Sequence, residues 1–168
     1  MFRKLAVGFL IALTAFNLSF SRVSAQLMPK IDVHYESVNP PDGISYLFKR
    51  IGEKISMFIA FSDKSKINNY KKLVNVRLSE LKFIIENEKM AYFEKSTQRY
   101  FTTAGHLTSF LTSANKDDEF TPVIEQLSSH ISVLTALRDK YDSGTAEWRF
   151  VEDDINYIKE YINKLSVK

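Results

Sequence analysis

Ile44, Leu47, Phe48, Ile51, Ile55, Phe58 and Ile59 recur at spacings of three and four, with Lys49, Arg50, Glu53 and Lys54 between them. One face of an α-helix is apolar and the rest is charged. Asp42 stands where an N-cap belongs. Burying those charges in hydrocarbon would cost roughly several kcal/mol for each side chain, which excludes a membrane span. The pattern predicts a core helix, with a helix lying on a membrane surface as the alternative. Gly52 sits beside the apolar face, where a missing side chain lets another backbone approach.

The same period continues down the chain. Ser62-Asp63 offers a cap for a second helix carrying Ile67, Tyr70, Val74, Leu78, Leu81 and Ile85, with Asn87 as its stop. A third helix is expected from Glu88 to Ser113, with Met90, Phe93, Tyr100, Ala104, Leu107 and Leu111 on its apolar face. Its later half is rich in Thr, Ser and Gly, which are weak helix formers, so it depends most on packing. After the polar loop Asn115–Glu119, Thr121-Pro122 reads as a hydroxyl cap with proline at the first helical position. Ile124, Leu127, Ile131, Leu134, Leu137 and Tyr141 follow. Asp142-Ser143-Gly144 is a tight turn. In the last helix Trp148, Val151, Ile155, Ile158, Ile162 and Leu165 alternate by three and four, as in a heptad seam. The expectation is an all-α, single-domain bundle of about five helices spanning 43–168.

The first residues have another character. Arg3 and Lys4 precede an apolar run from Leu5 to Phe16, and Val23-Ser24-Ala25 places small residues before Gln26. This predicts a secretory signal peptide over 1–25, with an uncleaved anchor as the alternative. The run is shorter than the roughly 20 apolar residues of a spanning helix. Pro29, Pro40 and Pro41 mark 26–42 as an extended linker. Removing 25 residues from 168 leaves 143, suited to one core. Of 23 Lys and Arg, three lie in the signal, which holds no acid. The remainder therefore carries 20 cations against 20 acids, and nucleic-acid binding is not inferred. The chain has no cysteine, which removes disulfides, thiol catalysis and Cys-ligated metals.

From Pro41 to Leu81 the chain shows a PPDG turn, the helix SYLFKRIGEK, a Phe61-Ser62-Asp63 corner and VRLSEL. This order resembles an uncharacterised bacterial family of exported helical domains, a domain of unknown function. Its members pair a P-x-S-x-L-Y-x-L-K-like opening helix and a T-F-[SD]-x-[ED]-like corner with an E-R-L-x-E-L-like second helix. Ser45-Tyr46, Lys49, Glu53, Arg77-Leu78 and Glu80-Leu81 match it; the family's Ala-rich second helix is absent. The resemblance implies an exported helical domain and supplies no reaction. It also places both Glu53 and Arg77. Arg77 flanks the apolar stripe, where a charge must snorkel or find a partner, and an ion pair with Glu53 is expected.

The candidate chemistry is sparse. His34, His106 and His130 lack the Glu-x-x-His spacing of di-iron bundles, and each reads as neutral and partly exposed. Asp117-Asp118-Glu119 lacks the alternation and glycine of a calcium loop. Glu152-Asp153-Asp154 reads as an exposed polar face opposite the Trp148–Leu165 seam. No phosphate loop, nucleophile elbow or zinc motif occurs. No catalytic residue, metal site or cofactor is assigned. The expectation is a non-enzymatic interaction or scaffold module of the bacterial cell envelope, exported to the periplasm or cell exterior. Its partner is a protein or envelope component, with peripheral membrane contact left open. The Thr/Ser-rich half of the third helix and the aromatic-rich first helix are its expected binding surfaces. A helical carrier or chaperone for apolar ligands or unfolded chains is the alternative. An envelope hydrolase with an unsignalled site ranks third.

Overall fold

The computed structural model describes residues 52–53 and 62–167. The expected signal peptide, the linker and most of the expected 44–59 helix lie outside them. The described residues form four long helices: α1 (Asp63–Glu86), α2 (Phe93–Ser113), α3 (Phe120–Arg138) and α4 (Ala146–Ser166). No strand occurs among them, and no described helix is long and apolar enough to cross a membrane.

Capping explains where most of these helices start and stop. The Ser62 hydroxyl accepts the Ser65 N–H at 3.2 Å, and the Thr145 hydroxyl accepts the Trp148 N–H at 3.2 Å. Each satisfies a backbone donor that has no intrahelical partner. α1 ends in a Schellman turn. The Glu88 N–H reaches the Ile85 carbonyl at 3.3 Å, and the Lys89 N–H reaches that of Ile84 at 2.9 Å. α2 ends the same way, with Asn115 bonding to Thr112 at 3.5 Å and Lys116 to Leu111 at 3.0 Å. Glu88 (φ 54°) and Asn115 (φ 50°) therefore take the left-handed conformation.

Each Schellman turn is followed by one turn of 3-10 helix, Met90–Tyr92 or Asp117–Glu119, and then by a buried phenylalanine opening the next helix. This corrects two expected starts. α2 begins at Phe93, because the Glu88 turn interrupts the helix that periodicity extends back to residue 88. α3 begins at Phe120, and no side chain caps it. Pro122 still lies in the first turn, where its missing N–H is harmless.

The core is filled by the aliphatic stripes. Val74 and Leu81 of α1, Ala104, Leu107 and Leu111 of α2, Leu127 and Leu134 of α3, and Val151 and Ile158 of α4 are fully buried. On α3 the buried stripe is Val123, Leu127, His130, Leu134 and Leu137; Ile124 and Ile131 are only partly buried beside it. α1 packs on α2 and α3 on α4, and α2 lies against α4 to join the two hairpins. Stacking of Phe101 on Tyr157 and close approach of Tyr161 to Gly105 show that α2 and α4 run parallel. Gly52 is helical and exposed, and a Cβ built there meets nothing within 4 Å, so the expected close approach does not occur among the described residues.

Candidate functional site

Two polar constellations stand out, one outside the core and one within it. The outer one is a cleft of about 560 Å³ between α1 and α2. Its α1 wall presents Tyr70, Leu73 and Arg77, and its α2 wall presents Lys95, Arg99, Thr102 and His106, with Glu53 at its edge. The α2 residues fall at i, i+4, i+7 and i+11, which places them on one helical face. α2 has no acid after Glu94, so this wall carries cationic, hydroxyl and imidazole groups and the Gln98 amide. At the α1 wall, Tyr70 packs on Phe110 with ring centroids 6.1 Å apart.

Arg77 anchors the cleft. It is buried, and its guanidinium donates to Glu80 at 2.7 Å and to Glu53. Burial by itself lowers the Arg77 pKa; the charges and hydrogen bonds of Glu80 and Glu53 outweigh it and hold the group above its ordinary value. The structure thus brings together Arg77 and Glu53, 24 residues apart, and adds Glu80, which the sequence reading did not include. The added partner is i+3 on the same helix, a spacing that makes such pairs neighbours.

The hydroxyls of the Thr-rich half of α2 divide between two roles. Thr103 and Thr108 are buried and donate to carbonyls one turn back, at 2.6 Å to Arg99 and 3.1 Å to Ala104. Thr102 and His106 are exposed. Only the second set is available to a partner.

The inner constellation runs across three helices. Asn75 Oδ1 on α1 accepts from His130 Nε2–H at 2.9 Å and from the Gln126 amide at 2.6 Å. His130 Nδ1 then accepts from the Tyr100 hydroxyl of α2 at 3.1 Å. These partners require the neutral Nε2–H tautomer. His130 is therefore buried, which corrects the expectation of partial exposure; it occupies the stripe between Leu127 and Leu134. Burial lowers its pKa from the ordinary 6.5 to about 4. Tyr100 and His130 are buried, while Asn75 and Gln126 at the other end of the line are half-buried.

Asp154 overturns a second expectation. It is 1% exposed, while Asp153 points outward and Glu152 receives Arg138 at 2.6 Å. Residue 154 lies three after Val151 and four before Ile158, on the buried stripe rather than opposite it. Burial, then the charge of Asp153, pushes the Asp154 carboxyl well above the usual carboxylate range. Burial, then Asp154, similarly raises the Tyr100 phenol. Among the described residues no group of three or more His, Asp or Glu side chains is placed to hold a metal ion.

No curated protein and no solved structure shows a match to the chain. One family does, described as a domain of unknown function (DUF5667), and its match covers residues 39–144. That span takes in α1, α2 and α3 and stops at Gly144, before α4 begins at Ala146. With well over half of its residues inside this match, the chain belongs to the DUF5667 family.

Proposed function

We propose that the chain is an exported, non-enzymatic interaction or scaffold module of the bacterial cell envelope, and that the α1–α2 cleft is its binding surface. The observation that carries this reading is an open cleft on the outside of the bundle whose α2 wall presents Lys95 and His106. An α2 wall with Lys95 and His106 and no acid of its own favours a partner that presents acidic groups. The leader-like first 25 residues support export.

A photo-crosslinking residue at Thr102, with a control at Lys159 on the exposed side of α4, tests the reading in cells. A discrete adduct specific to Thr102, and lost when Lys95 and His106 are both changed to Glu, is the expected result. Equal labelling from both positions, or an adduct indifferent to the charge reversal, refutes the cleft as the binding surface.

A further inference from the structure

Among the described residues, the Asp154 oxygens are the buried side-chain polar atoms that meet no hydrogen-bond partner. Their position is a seam. Asp154 acts on the Tyr100 phenol of α2, and further along the same two helices Tyr161 Oη stands 2.8 Å from where a Cβ on Gly105 would be and the Tyr157 ring 4.5 Å from that of Phe101. An ionised carboxylate in this seam would have lost its water and gained no donor; keeping its proton avoids that penalty.

The groups facing Asp154 can be named helix by helix. α2 supplies the Tyr100 phenol, and α3 supplies His130, which holds the Tyr100 hydroxyl. α4 itself supplies Asp153 and Tyr161. Between α3 and α4, Arg138 pairs with Glu152 at 2.6 Å and also with its neighbour Asp139. Asp153 disfavours a second negative charge beside it, while the two phenols, themselves raised, stay neutral and bring no positive charge that would favour ionisation.

We infer that Asp154 is a proton site that closes the seam between α2 and α4: the folded bundle holds this carboxyl protonated, and loss of the proton loosens the seam. The device extends beyond the binding reading, because it concerns what holds the helices together. α2 also walls the outer cleft, so the same proton would set that wall's position. That consequence rests on the proposed binding reading, and its failure leaves the seam titration standing.

The sign follows from linkage. An unfolded Asp titrates near ~3.9, and Asp154 in the fold titrates well above that. Its contribution to stability is complete below about 4 and is lost as pH rises towards the folded value, by up to about tenfold in the folding constant per pH unit. His130 acts in the opposite direction. Its contribution is complete above about 6.5 and is lost as pH falls through about 4. The two slopes oppose one another wherever their ranges overlap.

Denaturant titrations of wild type and Asp154→Asn across pH 4–9 test this. The ratio of the variant's folding constant to that of wild type should grow by up to about tenfold per pH unit, then level off. A ratio that stays constant overturns the proton site. A site-resolved carboxyl NMR titration of wild type decides the matter even if the variant fails to fold. A midpoint raised above the ordinary carboxylate range supports the inference, and an ordinary midpoint at about 4 overturns it. Hydrogen exchange, corrected for intrinsic rates, reads the seam directly. Protection of α2 and α4 should fall with rising pH in wild type but not in the variant, and protection indifferent to pH overturns the loosening.

Discussion

Arg77 and Glu80 are both nearly inaccessible to water, at 7% and 4% exposure, so their bond carries more weight than a surface pair. Changing Arg77 to Ala removes the cation while Glu80 stays buried, and a loss of about 3–5 kcal/mol is expected in urea denaturation. Glu53→Gln keeps the Glu80 bond and should lose less. The Tyr100 hydroxyl has an equally defined job, as donor to His130 Nδ1. Tyr100→Phe leaves that nitrogen buried without a donor and should destabilise by about 1–3 kcal/mol, measured the same way. That Arg77 needs a partner was legible in the sequence, because a cation flanking an apolar stripe must be paired; Glu53 as that partner was what the family resemblance implied. The roles of His130 and Asp154 were also available as spacing, three residues after one core position and four before another. Residue type overrode position there: imidazole and carboxylate side chains are usually exposed.

Helix boundaries show where local signals suffice and where they do not. The hydroxyl cap at Ser62 and the glycine at residue 144 (φ 113°) are read directly from residue type; the same signal at Thr145, which caps α4, was not singled out in the sequence. The corner at Glu88 is not, since a glutamate at positive φ is unfavourable and is tolerated only because the following 3-10 turn and Phe93 hold the chain in place. Glu88→Gly should therefore raise stability by roughly 0.5–1 kcal/mol, seen as a higher denaturation midpoint at unchanged slope. At the α2–α4 contact the reverse holds. Gly105→Ala gains about 1 kcal/mol in helix propensity but drives a methyl against the Tyr161 hydroxyl. A double-mutant cycle with Tyr161→Phe should show coupling of at least about 0.5 kcal/mol, whereas additivity would mean that Tyr161 swings aside freely.

The family match stops before α4, yet the bundle does not. Val151, Ile155, Ile158 and Leu165 of α4 are all buried in the common core. At about 1.5–3 kcal/mol for each side chain, their burial amounts to roughly 6–12 kcal/mol. That is comparable with the whole stability of a domain this size, about 5–15 kcal/mol. A chain ending at Gly144 should accordingly lose cooperative thermal unfolding and show collapsed amide dispersion. A sharp melt in that truncated chain would show that α1–α3 fold independently of α4.

Periodicity alone specified an all-helical chain, the apolar stripes of α1, α2 and α4, and the polar segments between helices, because a 3.6-residue repeat and a capping hydroxyl act within a few residues of sequence. Pairing could not be read that way. Placing α2 rather than α1 against α4, threading Tyr100, His130 and Asn75 into one hydrogen-bonded line, and burying Asp154 without a donor all depend on helices distant in sequence. Those outcomes follow from side chains of several stripes competing for one water-free volume, and no single stripe carries that information.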